Sequence, residues 1–296
     1  MVAEQSPRGS RAPGTAAGPS GAGGLVFGTG GVPKSAPKRS SDAGLRRLVE
    51  LGLGAMELEF VHRVAMGERA ATALGALRAE LGLWLTAHAP YYINLNSKDP
   101  KIVKASGERL LQAARIGWVA GATDVAFHCG YYHDDPPEEV FGRVRSSLEE
   151  IAGTLRAEGN GVTLRPETTG APASFGTLKE VVELSVLTDG VMPCLDFSHL
   201  HARSGGKLDL AGFSRVLEFV RERLGEAALS RLHTHVSGIQ HKAGAEEKHI
   251  ELEASDMPWR ELLRALKQHG AGGVVICESP NLESDALTMK HFFETL

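Results

Sequence analysis

The residues of this chain best suited to chemistry are carboxylates and histidines that follow short apolar runs. Asp196 follows the apolar residues 191–195, and His199 lies three positions further on. Carboxylate oxygen and neutral imidazole nitrogen bind zinc, manganese or iron(II) where no thiolate is offered. The spacing alone is weak evidence for a metal site, because Asp and His are also ordinary loop residues.

Five further apolar runs end in a histidine or a glutamate, which strengthens the evidence. If left unpaired, so many ionisable groups in one place would suffer desolvation and mutual repulsion. Bound divalent cations remove both costs, so the pattern predicts a metal centre. Any one of these residues taken alone is more typical of a hydrogen-bonded structural side chain. The six positions are His88, His128, Glu167, Asp196, His235 and Glu278.

Eight strand-length runs alternate with amphipathic helical stretches, and the composition does not break along residues 25–296. This alternation predicts an α/β fold with a single (β/α)₈ TIM barrel, whose site lies at the carboxyl ends of the strands. Because side chains alternate along a strand, the six polar residues can all face the barrel axis. The runs are residues 25–29, 55–60, 83–88, 124–129, 162–167, 191–197, 232–236 and 273–278.

Composition narrows the class of protein. Residues 1–24 are rich in Gly, Ala, Ser and Pro, and we expect them to form a disordered tail. The three cysteines are too few for a disulfide framework and are typical of a cytoplasmic protein. No run reaches the ~18 to 20 apolar residues of a membrane span, and we expect no signal peptide. The net charge of −4 implies that any contact with nucleic acid is local.

Loops beyond the strand ends offer further ligands. His199 follows the sixth strand, and the seventh loop carries Glu246, Glu247 and His249. Several close ions held by histidine and carboxylate suit phosphodiester hydrolysis, because they activate water and neutralise phosphate oxygens. Three more histidines are expected to support the ligands or lie on the surface, namely His201, His233 and His241.

From Leu25 to the carboxyl terminus the chain resembles the endonuclease IV family of abasic-site endonucleases. The matching pieces follow one another in the family's order, which is more specific than any single motif. The resemblance implies a metal-dependent DNA-repair hydrolase that cleaves double-stranded DNA 5′ to an abasic site. The pieces are His88-Ala-Pro-Tyr91-Tyr92-Ile93-Asn94-Leu95, Phe127-His128-x-Gly130, Glu167-Thr168-Thr169-Gly170, Cys194-Leu195-Asp196-x-x-His199, His235-Val-Ser, Glu247-x-His249 and Glu278-Ser-Pro-Asn281.

The resemblance also implies two or three metal ions per chain, usually Zn²⁺, with Mn²⁺ or Fe²⁺ as alternatives. Glu167 would bridge the first two ions and is the predicted catalytic residue. At the third ion we prefer Glu247, which keeps the expected two-residue spacing to His249, and Glu246 is the alternative. The implied ligands are His88, His128 and Glu167 for the first ion, Glu167, Asp196, His235 and Glu278 for the second, and His199, Glu247 and His249 for the third.

The loops also carry residue types that suit duplex DNA. By the same resemblance, Arg63, Tyr91 and Tyr92 would enter the base stack and hold the damaged nucleotide outside it. Guanidinium and aromatic faces can replace lost stacking. We expect a monomer that contacts phosphates through basic loop residues. These residues are Lys34, Lys38, Arg39, Lys98, Arg203, Lys207, Lys242 and Lys248.

Some positions depart from the family pattern and place the chain in a divergent branch. The first strand leads into residues 27–31, Phe-Gly-Thr-Gly-Gly, in place of a histidine-containing start. The seventh strand continues as His235-Val-Ser-Gly238, where Asn-Asp is expected, and Glu59 has no counterpart role.

Two other functions compete with the endonuclease. A sugar isomerase or epimerase of the same barrel superfamily would need only a single ion, which Glu167, Asp196, His235 and Glu278 could hold. One ion per chain would indicate an isomerase, whereas two or three would indicate a phosphodiesterase. A catalytically silent damage-binding protein is the third possibility, and the complete set of carboxylates argues against it.

Overall fold

The eight predicted strands form one parallel sheet that curves into a barrel. In chain order the strands are β1 Leu25–Gly30, β2 Ala55–Glu59, β3 Trp84–His88, β4 Asp124–Phe127, β5 Thr163–Pro166, β6 Cys194–Asp196, β7 Leu232–Val236, β8 Gly238–Lys242, β9 Ala245–Ile250 and β10 Gly273–Cys277. Around the sheet the order of the strands is β5-β4-β3-β2-β1-β10-β7-β6. Two isolated parallel bridges, Leu164 to Val191 and Glu167 to Cys194, join β5 to β6 and close the ring. The predicted TIM barrel is confirmed.

The computed structural model describes residues 24–296. The predicted tail, residues 1–24, lies outside that range except for Gly24. The carbonyl oxygen of Gly24 accepts a hydrogen bond from the backbone N–H of Gly273 (3.3 Å), so Gly24 is bonded to the start of β10, the neighbour of β1.

Helices pack around the outside of the barrel through their apolar faces. In α9 the buried residues Trp259, Leu262, Leu263 and Leu266 recur at helical spacing, which fixes the face that meets the strands. Within residues 24–296, no helix is long and apolar enough to cross a membrane. The helices are α1 Ser41–Leu51, α2 Glu68–Leu81, α3 Pro100–Val119, α4 Pro137–Ala157, α5 Leu178–Leu187, α6 Phe197–Arg203, α7 Leu210–Leu224, α8 Glu226–Leu229, α9 Trp259–Gln268 and α10 Glu283–Glu294.

The structure differs from the sequence prediction at the sixth and seventh strands. The sixth strand is only three residues long, because Asp196 already caps a helix that begins at Phe197. The seventh loop is not irregular, since β8 and β9 pair there as an antiparallel hairpin. Both features move ligand candidates from loops onto regular elements.

A buried ion pair holds the amino end of the barrel where strand pairing is sparse. Arg165 on β5 donates to Asp124 on β4 through Nε (2.6 Å), and both side chains are buried. The guanidinium also donates to the carbonyl oxygens of Pro193 (3.1 Å) and Arg231 (3.0 Å), which precede β6 and β7. Although burial opposes it, the Arg165 charge keeps the pKa of Asp124 below its usual value. Arg165 therefore links both sides of the seam between β5 and β6.

We expect Asp124→Ala to lower the free energy of unfolding by about 3–5 kcal/mol, because it leaves a buried guanidinium without its counter-ion. Denaturant unfolding measures this loss. Glu253→Gln is the matched control, since it breaks an exposed pair with Arg260 and should change stability little. Equal losses in the two variants would show that the buried pair has no special role in closing the barrel.

Candidate metal centre

Asp196 and His199 are placed by the start of α6. The backbone N–H of His199 donates to Oδ1 of Asp196 (2.6 Å), so this aspartate is the helix cap. The other oxygen, Oδ2, is buried and has no hydrogen-bond partner in the described part of the chain. The three-residue spacing is therefore the spacing of a cap and the third helical residue. It leaves one carboxylate oxygen available at the barrel mouth.

Glu167 lies between two groups of ligand candidates. Its Oε2 is 3.0 Å from Nε2 of His88 and 3.1 Å from Nε2 of His128. Its Oε1 is 3.4 Å from Nδ1 of His235, which in turn lies 3.4 Å from Oε1 of Glu278. Each oxygen thus faces a different set of donors. This is the arrangement that a carboxylate bridging two ions requires.

The histidines present the correct nitrogens to such ions. Nδ1 of His88 donates to the carbonyl oxygen of Ala89 (2.8 Å), and Nδ1 of His199 donates to that of Thr168 (2.9 Å). A carbonyl only accepts, so in both rings Nδ1 carries a proton, and Nε2 is the nitrogen that would bind an ion. Backbone contacts of this kind fix the tautomer of metal-binding histidines.

The spacing of the donors fits a metal ion. Zinc–ligand bonds of 2.0–2.1 Å place neighbouring ligands about 3.3 Å apart in a tetrahedral site. Contacts of 3.0 to 3.4 Å around Glu167 match this value. Burial raises the pKa of Asp196 to about 6, and Oδ2 of Asp196 and Nδ1 of His235 lack hydrogen-bond partners among residues 24–296. A cation held by these residues would satisfy both atoms.

Glu246, and not the predicted Glu247, lies close to His199 and His249 in the structure. Nε2 of His199 lies 3.0 Å from Oε2 of Glu246 and 3.2 Å from Nε2 of His249. Glu247 is exposed and accepts a hydrogen bond from the side chain of Gln240 (2.6 Å). The geometry thus favours Glu246, the alternative from the sequence analysis, as the carboxylate of the third donor set.

A β-bulge explains the exchange. In the hairpin, His241 pairs with Glu246 and Gln240 with Lys248, so Glu247 is an extra residue without a partner. One extra residue reverses the side-chain alternation of a strand. Glu246, three positions before His249, consequently shares its face, and the expected two-residue spacing does not apply.

Gly170 allows Glu246 to approach the centre. The backbone N–H of Glu246 donates to the carbonyl oxygen of Gly170 (3.2 Å), and a Cβ at position 170 would lie 2.1 Å from Oε2 of Glu246. Arg203 holds the same loop, because its Nη1 donates to the carbonyl oxygens of Thr169, Ala171 and Ser174. The sequence analysis expected Arg203 to contact phosphate, but its guanidinium is already hydrogen-bonded to this loop.

Glu57 is a candidate supporting residue that the sequence analysis did not select. Its Oε1 lies 2.8 Å from Nε2 of His235, and its Oε2 lies 2.8 Å from Nε2 of His233. Thr86 donates to the same carboxylate (2.7 Å). Although burial opposes it, the charges of His235 and His233 hold the pKa of Glu57 well below its usual range. These contacts turn Nδ1 of His235 toward Glu167. An acidic residue in the middle of an apolar strand was the available signal.

Glu59 adds a second carboxylate from β2 to the centre. Its Oε1 is buried and has no hydrogen-bond partner in the part of the chain that the structure describes. Burial raises the pKa of Glu59 to about 8, while the charges of His88 and Glu278 act on it with opposite signs. The sequence analysis assigned no role to Glu59. In the structure it lies beside the ligand candidates His88 and Glu278.

Exposed aromatic side chains surround the mouth. Tyr91 and Tyr92 are 57% and 59% exposed, and the ring of Tyr91 lies 6.0 Å from that of His88. The backbone N–H of Tyr91 donates to the carbonyl oxygen of Val61 (3.1 Å), which joins the second and third loops. Arg63 is exposed in the second loop. Tyr131 is also exposed, and sequence reasoning did not select it.

The basic loop residues divide into two groups. Lys98 forms an ion pair with Asp135, so together with Arg203 it already has a partner within the protein. The others are exposed and remain candidates for phosphate contacts, namely Lys34, Lys38, Arg39, Lys207, Lys242 and Lys248.

We expect Glu246→Gln to lower the number of ions bound per chain by one, because it removes a carboxylate from the third donor set. Glu247→Gln is the matched control and should keep the full number. Elemental analysis after equilibrium dialysis gives both counts. Loss of an ion in the Glu247 variant alone would restore the original choice.

We expect Glu57→Gln to weaken metal binding about 10- to 100-fold, the range for loss of a carboxylate that orients a ligand histidine. Competition with a chromophoric chelator measures the affinity. Glu50→Gln, on the exposed face of α1, should leave it unchanged. Unchanged affinity in both variants would remove Glu57 from the support of the centre.

Comparisons with known proteins agree with this architecture. The family model described as "Xylose isomerase-like TIM barrel" matches residues 45–295. An uncharacterized protein of Methanocaldococcus jannaschii is 40% identical over 273 residues, covering 92% of this chain and 98% of the relative. A probable endonuclease 4 of Symbiobacterium thermophilum is 32% identical over 132 residues, covering 43% of this chain and 47% of that protein.

Solved structures of two enzyme types share the fold. The endonuclease IV of Thermus thermophilus superposes with a TM-score of 0.72 at 21% identity, covering 92% of this chain and all of that one (100%). A D-tagatose 3-epimerase-like protein superposes with a TM-score of 0.69 at 20% identity, covering 90% of this chain and 96% of that one. Likeness to endonuclease IV, first seen in the motifs, thus recurs in sequence and fold. The chain belongs to the xylose isomerase-like TIM barrel family.

Proposed function

We propose that this chain is a metal-dependent DNA phosphodiesterase that cleaves the backbone 5′ to abasic sites, acting as a cytoplasmic monomer. The observation that carries the proposal is that three donor sets meet at one end of the barrel. The first is His88, His128 and Glu167, the second is Glu167, Asp196, His235 and Glu278, and the third is His199, Glu246 and His249. A single-ion enzyme has no use for the first and third sets.

Glu167 and Glu57 have different roles at the centre. Two or three divalent ions held there, Zn²⁺ or alternatively Mn²⁺ or Fe²⁺, would activate water and neutralise the phosphate oxygens. Glu167 would hold two of the donor sets at a fixed separation, because its two oxygens face different histidines. Glu57 keeps His235 in orientation from below. The centre thereby presents preorganised charge to a phosphate, which is the main requirement of phosphodiester hydrolysis.

The rim supports double-stranded DNA as the substrate. Tyr91 lies beside His88 and Tyr92 stacks on His62, and because both side chains are more than half exposed, each has an open face that could take the place of a displaced base. Arg63 lies on the adjoining loop and could stack in the same way. The exposed lysines of the mouth supply local positive charge for the flanking phosphates. An acidic whole protein can therefore still bind DNA at this end.

A sugar epimerase is the second candidate. The observation that favours it is that Glu167, Asp196, His235 and Glu278 lie close enough to hold one ion without help from the other donors. Such an enzyme transfers a proton at the carbon next to a carbonyl and needs one ion. The number of ions per chain, measured together with cleavage of an abasic duplex and epimerisation of ketohexoses, separates the two functions.

We expect Glu167→Gln to reduce cleavage of a duplex with one abasic site by at least about 100-fold. The reason is that loss of a supporting residue alone weakens metal sites about 10- to 100-fold, and Glu167 would be a direct ligand of two ions. Single-turnover cleavage with gel readout measures the rate. Glu80→Gln on the exposed side of α2 is the control for an unrelated carboxylate. Activity above a tenth of wild type would contradict the bridging role.

We expect the double variant Tyr91→Ala, Tyr92→Ala to weaken binding of the abasic duplex by about 1–3 kcal/mol per lost stacking contact. Fluorescence anisotropy measures the affinity, with an undamaged duplex as the ligand control. Leu187→Ala removes an exposed apolar side chain from α5, on a helix outside the mouth, and should have no effect. An unchanged affinity in the double variant would argue against DNA as the substrate.

A further inference from the structure

Three residues with metal-binding side chains meet on the face of α6 opposite to His199. His201 lies two residues further along this helix, which turns its side chain by about 200° from that of His199. It meets His241 from β8 and Asp256 from the segment after β9. We call these three residues the outer cluster. None of them belongs to the donor sets around Glu167.

The distances within the outer cluster are those of ligands around one ion. Nε2 of His241 lies 3.2 Å and 3.1 Å from the two carboxylate oxygens of Asp256, and Nε2 of His201 lies 3.4 Å from Oδ1 of the same residue. A tetrahedral zinc site places its ligand atoms about 3.3 Å apart. The three donor atoms also lie within 4.8 Å of one another.

His201 gives the strongest indication of a missing partner. It is 1% exposed, and neither of its ring nitrogens makes a hydrogen bond to any residue of the 24–296 range. Buried polar nitrogens are normally paired, since an unpaired one loses its interaction with water and gains nothing in return. Hydrogen bonding between His241 and Asp256 accounts for those two side chains but leaves His201 unexplained.

Gly206 leaves room for the cluster. A Cβ at this position would lie 2.9 Å from Cε1 of His241 and 3.2 Å from Oδ2 of Asp256. The residue has a φ of +74°, which favours glycine as well. The backbone at Gly206 therefore packs directly against two of the three side chains and holds them toward His201.

We propose that His201, His241 and Asp256 form a separate binding site for a divalent transition metal such as Zn²⁺. Two imidazoles and one carboxylate leave one coordination position for water, and the side chain of Asp256 is 62% exposed, so an ion can enter from solvent. Softer cations are favoured by the two histidines, whereas Mg²⁺ and Ca²⁺ prefer oxygen ligands alone.

Such an ion would be structural for the main centre. His201 and His199 share α6, while His241 lies on the hairpin that carries Glu246 and His249. An ion in the outer cluster therefore fastens the hairpin to the helix at a point beside the third donor set. It would fix the spacing of ligands that come from two different elements.

The test counts zinc ions in the purified full-length protein. The chain is stripped with a chelator, dialysed against buffered Zn²⁺ and measured by elemental analysis. We expect His241→Ala and Asp256→Asn each to bind one ion fewer than the wild type. His291→Ala, an exposed histidine on α10, is the matched control and should keep the full count. Asp256→Asn alters one mostly exposed atom, so its melting temperature without zinc should match that of the wild type.

The result also separates this site from the proposed function. His249→Ala should remove a different ion, so combining it with His241→Ala should lower the count by two. If His249→Ala loses nothing while His241→Ala loses one ion, the third set fails and the outer cluster stands. If His241→Ala and Asp256→Asn both retain every ion, the outer cluster is only a hydrogen-bonded group and the proposal is wrong.

Discussion

The centre depends on one buried carboxylate that serves two sides. Glu167 directly follows β5 at the mouth of the barrel, and its two oxygens face different histidines. Burial alone would keep this group neutral, but the charges of His128 and His235 hold its pKa well below the usual range. Glu167 is therefore ionised, and ring nitrogens of the surrounding histidines are directed toward it. The ligand candidates His88, His128 and His235 lie within 3.4 Å of it.

The barrel interior supports that carboxylate in layers. A small apolar cluster of Ala55, Val274 and Ile276 lies within the barrel, apart from the main core. In register with it, Glu57 takes the next inward position of β2 and meets His233 and His235 across the barrel. Polar side chains therefore fill the interior above the apolar layer. Glu57 orients His235, and His235 in turn contacts Glu167. The alternation of side chains along the strands thus places a supporting residue below the residues of the mouth.

Sequence reasoning reached the strands and the residues at their ends, because the two-residue alternation and the position at the carboxyl end are local signals. It failed where a long-range contact decides the outcome. Glu246, and not Glu247, faces His199 because of a bulge, and a bulge depends on the partner strand. Glu57 could not be assigned without knowing that His233 and His235 lie opposite. Arg203 reads as a free surface cation until the loop carbonyls around it are known.

The seam between β5 and β6 has a thermodynamic meaning. Two isolated bridges and the guanidinium of Arg165 connect its two sides, and Glu167 stands on one side and Asp196 on the other. A ligand bound by both of these residues would help to close the ring of strands. Its binding free energy and the free energy of closing the seam would therefore be linked, and occupancy of the centre would stabilise the whole barrel. The seam with the sparsest strand pairing is therefore also the place where a bound cation would hold two strands together.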